Sequence, residues 1–402
     1  MTDVVLVDGA RTAHGKLLGA LADRSAVDLG RAAVEGLLDR TGVTTDLVDW
    51  VCLGEAVQAG VGQVPARQVV VESPLPDDCP ATTVNEASGS GLRAITSAVD
   101  RVEAGRASVC LAGGMESMSN APYLVRELRE GRRHGDVTLV DAMIHDSLWD
   151  GQYDAHMGTL TERIAERFDV SREAQDEYAA RSNRRAAEAV ATGAFDREIV
   201  PVEASVASKT QRADGEAVDG DGLVTEDEGP RPDTTVQDLA TLPPAFVEGG
   251  TITAGNASKL SDGAGGVVVA DAETVDEAGV GPMAHVEDYA VAYRDPAEFS
   301  LAVCDAVSDL LERNDLAVAD VDYFELNEAF AAQMVYVADE LGIPPEKHNP
   351  LGGAVALGHP IGASGGILTT TLLYAMERAD HDRGVVGMSV GGGGAMAMSV
   401  VR

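Results

Sequence analysis

The sequence predicts an α/β fold: a sheet covered by helices on both faces and built from two similar halves. Three observations point there. Short apolar runs alternate with stretches of helical spacing, the signature of repeated strand-then-helix units. A glycine-rich turn leading into a helix, Ser90-Gly91-Leu92-Arg93-Ala94-Ile95-Thr96, returns in style as Ser364-Gly365-Gly366-Ile367-Leu368-Thr369-Thr370. Each copy is followed, after a similar interval, by a strand ending in glycines, Gly113-Gly114 and Gly391 to Gly394. Two such halves facing each other would bring both turns to one crevice.

In chain order, Asp3 to Val7 reads as a buried strand, followed by Gly9-Ala10-Arg11-Thr12 and a loop. Ala26 to Leu38 has helical spacing through Val27, Ala33, Val34, Leu37 and Leu38, with Gly42 as a stop signal. Trp50 to Leu53 is a second short strand, and Ala66 to Val71 a helix with Pro65 suited to its first turn. Ser108 to Ala112 is a strand running into Gly113-Gly114-Met115-Glu116. From about Pro122 to Leu242 the pattern loosens into a long insertion. Within it Ser171 is placed to cap a helix through Ala191, with Gly193 as terminator and Ala174, Tyr178, Ser182, Ala186 and Ala189 along one face. Glu203 to Asp238 is acidic and poor in large apolar residues, which reads as a solvated surface excursion. Alternation resumes at Ala264 to Val269, with a helix from about Ala297 to Arg313 and a strand near Tyr323 to Leu326. The expected domain boundaries are 1–121, an insertion at 122–242, a return to the first half at 243–271, and the second half at 272–402.

A chain of 402 residues, 45% of them hydrophobic, can bury a large core. No run of about 18 apolar residues and no basic-then-apolar start is present, so neither a membrane span nor a signal peptide is expected, and the expected location is cytoplasmic. Cys52, Cys79, Cys110 and Cys304 are scattered without a C-x-x-C pair, which favours buried thiols over disulfides or zinc. The formal charge of −36 is extreme, and only four of the 30 basic residues are lysine (Lys16, Lys209, Lys259, Lys347). Self-repulsion on that scale is relieved when molar salt shrinks the Debye length to about 3 Å, so the composition points to a salt-adapted protein. The same charge argues against nucleic-acid binding, because phosphate backbones need cationic surface.

The stretch Val84-Asn85-Glu86-Ala87-Ser88-Gly89-Ser90-Gly91-Leu92 carries one hydroxyl at the head of a helix whose unpaired N–H groups would face whatever is attached to it. Taken alone, such a turn is more often a tight connection than a nucleophile's seat, and a lone His is more often structural than catalytic. Three later strings change that balance: Asn327-Glu328-Ala329-Phe330, Gly358-His359-Pro360-Ile361-Gly362-Ala363-Ser364-Gly365, and Ser389-Val390-Gly391-Gly392.

With these strings, and with Gly113 to Pro122, His156-Met157-Gly158, Thr253 to Ser258 and Gly352 to Pro360 in the same order, the chain resembles the thiolases over nearly its full length. These are coenzyme A dependent acyltransferases that make or cleave 3-ketoacyl-CoA. The resemblance implies two α/β halves in a five-layer αβαβα arrangement with a loop domain inserted in the first. It also implies a nucleophilic thiol at the first buried helix, an activating His, and a second thiol near the C-terminus. This sequence departs from that pattern twice: Ser88 stands at the nucleophile position and Ser389 at the second thiol. Unlike a thiol near pKa 8.5, serine cannot be ionised beforehand, so it must lose its proton as it attacks, with His359 as obligatory base.

By the same resemblance, Asn327 holds a water over the attacking thioester. The N–H groups of Ser88 and Gly391 form an oxyanion hole. His156, Met157, Ala254, Ser258, Ala329 and Phe330 line the pantetheine channel, with Arg231 toward the nucleotide. No metal or separate cofactor is implied, only acyl-CoA and CoA as substrates. Homodimers or homotetramers are expected, and a small OB-fold partner subunit is a further possibility from the family. Condensation feeding polyester or lipid-like synthesis and thiolytic cleavage both remain open. So do a thiolase-like lyase working by retro-aldol chemistry, which needs no acyl-enzyme, and a catalytically silent CoA-binding subunit.

Overall fold

The computed structural model describes residues 2–204 and 222–402; the part of the predicted acidic excursion at 205–221 lies outside them. The first half contributes β1 (Val4–Thr12), α1 (Ala26–Thr41), β2 (Trp50–Gly54), α2 (Pro65–Glu72), β3 (Ala81–Val84), α3 (Ser90–Glu103) and β4 (Val109–Ser117). After an insertion bearing α4 (Met157–Arg167) and α5 (Arg172–Ala191), it closes with β5 (Ser261–Asp271). The second half is β6 (Ala284–Tyr293), α6 (Phe299–Arg313), β7 (Tyr323–Leu326), α7 (Ala331–Leu341), α8 (Ser364–Ala379), β8 (Arg383–Val390) and β9 (Gly394–Val401).

Strand order shows the repeat in space. The path runs β7-β8-β9-β6-β1-β5-β4-β2-β3. In the first half β2 and β4 pair parallel, then β4–β5 and β5–β1 antiparallel. In the second half β7 and β8 pair parallel, then β8–β9 and β9–β6 antiparallel. Where β3 lies beside β2 in the first half, the second retains only an isolated parallel bridge, Phe324 to His348. The halves meet at a short antiparallel stitch of Val5 with His285 and Leu6 with Ala284.

Alternation along the strands sorts side chains into layers. Val5, Val7, Val51, Leu53 and Val268 face α1 and α2, whereas Val4, Leu6, Cys52, Val267 and Val269 face a central layer with Leu92, Ile95, Leu372 and Met376 of α3 and α8. From the other side, Val386, Met388 and Met398 reach the same central layer, and Phe324, Val385 and Ala397 pack outward against α6 and α7. Both strand faces are buried, so the strands read as nearly continuous apolar runs. Each fully buried Leu or Val contributes about 1.5–3 kcal/mol of transfer free energy. Helix, sheet, helix, sheet, helix is the resulting order.

Local signals explain several boundaries. Ser25 accepts the Asp28 N–H while Asp28 reaches back to the Ser25 N–H, a capping box that starts α1, and Gly42 ends it at φ 68°. Ser171 caps α5 and Gly193 follows its end at φ 69°. β1 continues to Thr12, beyond the expected Val7, because Gly9, Ala10 and Arg11 pair with β5. Arg11 is tolerated there because it is fully buried against Asp227 (2.8 and 2.9 Å) and Glu198 (2.5 Å). No helix among the described residues is long and apolar enough to cross a membrane.

Candidate active site

The N-termini of α3 and α8 meet in the central layer. A Cβ on Gly365 would lie 2.0 Å from the Leu92 nitrogen and one on Gly91 2.8 Å from the Gly366 nitrogen, so only glycines allow this approach. The turns ahead of both helices are thereby brought together.

The first turn is strained and side-chain braced. Ala87 has φ 51°, a left-handed conformation that costs an ordinary residue roughly 1–2 kcal/mol. Asn85 Oδ1 accepts the Ala87 N–H at 3.0 Å. The Ser90 hydroxyl accepts from the Glu86 N–H (2.9 Å) and donates to the Ala87 carbonyl (2.6 Å). This bracing leaves Ser88 half-buried at the mouth of α3.

Ser88 Oγ lies 2.9 Å from His359 Nε2. The tautomer follows from the far side of the ring. The Ser364 hydroxyl donates to the Pro360 carbonyl at 3.0 Å and so accepts from the His359 Nδ1–H at 2.6 Å, leaving Nε2 as the lone-pair nitrogen. Asn327 Nδ2 donates to the same Nε2 at 3.3 Å, while Asn327 Oδ1 is buried without a partner among the described residues. Burial, and after it His14, pushes the His359 pKa down to about 3. The ring is therefore neutral near pH 7.

Ser389 to Gly392 forms another wall. A Cβ on Gly89 would meet Val390 at 2.4 Å, so the absence of a side chain there seats this wall directly on the Ser88 turn. Of the two expected oxyanion donors, the Ser88 N–H has no acceptor among the described residues, and the Gly391 N–H makes only a long 3.4 Å bond to the Glu86 carbonyl. Ser88, His359, Ser389 and Gly391 open on a cleft of about 400 Å³ whose walls include Met157, Ser258, Ala329 and Phe330. That volume and its largely apolar wall are typical of small-molecule sites.

Four expected residues are not brought to the cleft surface: Asn327 is buried behind it and reaches it only through His359 Nε2, and three others lie apart. His156 caps α4, its Nδ1 accepting the Gly158 N–H at 3.0 Å, and its ring stacks on Phe246 at 4.7 Å. Phe246 in turn packs edge-on to Phe330 at 6.0 Å, so His156 stands one ring behind the wall. Arg231 is exposed, with its backbone N–H on Asn183 Oδ1 at 3.3 Å, and Ala254 is exposed in the turn before Asn256. Neither lines the cleft.

Other lining residues carried no sequence signal. Asp146 to Gln152 form a wall from a single π-helical turn (Ile144–Leu148) and a two-residue strand (Trp149–Asp150), too short for any periodicity to show. Phe299 comes from the first turn of α6. Glu328 lay in a quoted string without a role. Its buried carboxylate accepts from Tyr178 (2.9 Å), Ser182 (2.7 Å), Asn349 (3.0 Å) and the Val355 N–H (3.0 Å). It thus anchors Asn327 to the insertion helix α5. All four cysteines are buried away from the cleft, and burial pushes Cys52, Cys110 and Cys304 up to about 12, so they are poor nucleophiles. Among the described residues no cluster of three or more His, Cys, Asp or Glu is placed to hold a metal ion.

Comparison with known proteins bears on this arrangement. A family model described as the thiolase N-terminal domain matches residues 4–273, and one described as the thiolase C-terminal domain matches residues 280–402. The chain belongs to the thiolase family. An acetyl-CoA acetyltransferase from Thiocystis violacea is 43% identical to this thiolase over 400 residues, covering 99% of each chain. The human mitochondrial 3-ketoacyl-CoA thiolase, one of whose crystal structures is a complex with CoA, superposes with a TM-score of 0.93 at 34% identity. That match covers 100% of this thiolase and 98% of the human chain.

Proposed function

We propose that this thiolase is an acetyl-CoA C-acyltransferase of the 3-ketoacyl-CoA thiolase type that carries its acyl group on Ser88 as an oxygen ester. The observation that supports this most is the 2.9 Å contact of Ser88 Oγ with a neutral His359 whose Nε2 is the acceptor nitrogen. Ser88 attacks the acyl carbonyl of the first thioester while its proton passes to His359 Nε2. The substrate oxygen collects negative charge toward the Ser88 and Gly391 N–H groups. The imidazolium then returns the proton to the leaving CoA thiolate, or in the cleavage direction to the departing enolate. In the second half-reaction, neutral His359 takes the proton from incoming CoA, or from the α-carbon of acetyl-CoA, with Asn327 beside it. Ser389 is too weak a base for that step, so one imidazole serves both halves. An oxygen ester is less activated than a thioester, so condensation is slow relative to a thiol-based site.

The test is CoA-dependent cleavage of acetoacetyl-CoA in high salt, with trapping of labelled acyl groups on Ser88. Wild type should label there and Ser88→Ala should not. Turnover with no label on Ser88 would instead favour the retro-aldol lyase reading.

Three coarser features complete the proposal. The outer edge of β3 is unpaired among the described residues and lies next to the nucleophile turn, which supports a homodimer contact, with tetramers or an added OB-fold subunit decided by the mass of the native complex. Residues 122–242 act as the inserted loop domain. The charge of −36 supports adaptation to a salty cytoplasm, so the Tm should climb steeply between 0.1 and 2 M KCl, and a flat profile would count against it.

A further inference from the structure

We propose that Glu116 is a positioning residue of this site. Its buried carboxylate holds the backbone behind the nucleophile turn and the backbone behind the base turn at once, and so sets the Ser88–His359 separation. This rests on the Ser88 reading above and names the residue that makes it work.

Glu116 lies near the end of β4 and is 0% exposed. Its Oε2 accepts the Gly362 N–H at 2.8 Å and the Ala56 N–H at 3.0 Å, and its Oε1 accepts the Val57 N–H at 3.2 Å. Gly362 belongs to the second half, three residues beyond His359, whereas Ala56 and Val57 follow β2 in the first. The link continues to the nucleophile: the Ala56 carbonyl accepts from Asn85 Nδ2 at 3.0 Å, and Asn85 Oδ1 accepts the N–H of Ala87. One chain of hydrogen bonds therefore runs from the residue before Ser88 through Asn85, Ala56 and Glu116 to the His359 turn, across the seam between halves. There is no slack in it, since a Cβ on Gly362 would sit 2.6 Å from Glu55 Cα and 2.9 Å from Glu116 Oε2. Three converging N–H donors call for a group that only accepts. A protonated or amidated Glu116 would turn a hydrogen toward one of them and push the two turns apart.

The surroundings make this carboxylate titrate where it can be watched. Burial, and secondarily the charge of Asp262, outweighs the three N–H donors and raises Glu116 to about 7. Glu55, whose two oxygens are buried without partners among the described residues, is raised by burial and then by Glu116 to about 8. Asp262 on β5 and Glu55 after β2 are the titratable groups facing it. With His359 at about 3, a loss of rate near pH 7 does not report the base, and its disappearance in Glu116→Gln is what separates Glu116 from Glu55, raised to about 8, and from Lys259, lowered by burial to about 7. The sign for stability is opposite. Because the folded value lies above the ordinary 4.5, Glu116's contribution to stability is full below that value and is lost as pH rises through about 7. Acidification from pH 8 to 6 should therefore remove activity without a fall in Tm attributable to this group.

The experiment measures acetoacetyl-CoA cleavage between pH 5.5 and 9 in high salt for wild type, Glu116→Gln, Ser88→Ala and the double variant, with Tm alongside. Glu116→Gln should lower kcat about 100-fold, the scale of an ångström-level misplacement, with KM within about twofold and no remaining limb near pH 7. In the Ser88→Ala background it should cost nothing further, because there is no nucleophile left to position. Wild-type kcat in Glu116→Gln, or an equal loss in both backgrounds, overturns the proposal. Should Glu116→Gln fail to fold, Glu116→Asp decides: a carboxylate one carbon shorter cannot reach Gly362 and Ala56 together, so a fall in kcat at unchanged KM supports the proposal and wild-type kcat overturns it. Full activity in Ser88→Ala would remove the serine reading and this inference together, whereas an inactive Ser88→Ala beside an unaffected Glu116→Gln removes this inference alone.

Discussion

The two glycine-led turns have one construction and two roles. Each precedes a helix of the central layer, and the helices touch backbone to backbone at Gly91 and Gly365. The turn before α3 forces a non-glycine residue, Ala87, to positive φ and projects a hydroxyl. The turn before α8 instead places its unusual backbone on Gly358 at φ 130° and adds a 3₁₀ turn, Ile361–Ala363, so that an imidazole projects into the same space. Their settings differ as well: Ser88 is half-buried and open to the cleft, while α8 is buried at every position from Ser364 to Met376. A duplicated scaffold thus brings two points together, and small differences in backbone and burial put the hydroxyl at the wetter one and the imidazole at the drier one, the placing that the proposed roles of nucleophile and base require.

That division of labour can be broken in order of size. Ser88→Ala should reduce kcat about 10⁴-fold, and His359→Ala by a similar factor. The double variant should be no worse than either, since groups acting as one unit do not multiply their losses. Multiplying losses in acetoacetyl-CoA cleavage would show the turns acting separately. Ser88→Cys sharpens the same point, because a thiol in an unchanged setting should speed condensation if the weak activation of an oxygen ester is what slows it.

Gly365→Ala addresses the contact between helices. Its added carbon meets the Leu92 backbone, which cannot swing aside, so a loss of about 3 kcal/mol is expected in chemical denaturation. A neutral result would mean the helices can slide apart without consequence.

Ser364→Ala tests the drier turn by orphaning the His359 Nδ1–H and freeing the tautomer. An unpaired buried donor costs roughly 1–3 kcal/mol, so a fall in kcat of about 10- to 100-fold at constant KM is expected. The smallest change is expected at the strained turn: Ala87→Gly should relieve the left-handed backbone and, after its own entropy cost, raise stability by about 0.5–1 kcal/mol. A drop in Tm there would show that Ala87 is not strained.

Much of this was legible along the chain. The strands and helices that were expected formed, though β6, α4 and α7 had no expectation along the chain, and α1 and α5 ended where Gly42 and Gly193 said they would, because capping is a local affair. Ser88, His359 and Asn327 stood out because their strings keep a fixed order. The wall at Asp146 to Gln152 did not, being a short irregular segment whose side chains gain meaning only from what lies opposite. His156 was read as a channel residue, yet in space it caps α4 behind Phe246.

The amino-acid order by itself determined many of the element types, the twofold repeat and the family, and put hydroxyls at Ser88 and Ser389, because each of these is written within a few consecutive residues. Only the tertiary structure decided which nitrogen of His359 faces Ser88, how its charge is suppressed, and that Glu116 spans the seam. Those depend on burial and on distances between atoms whose residues lie up to 271 positions apart, as Ser88 and His359 do.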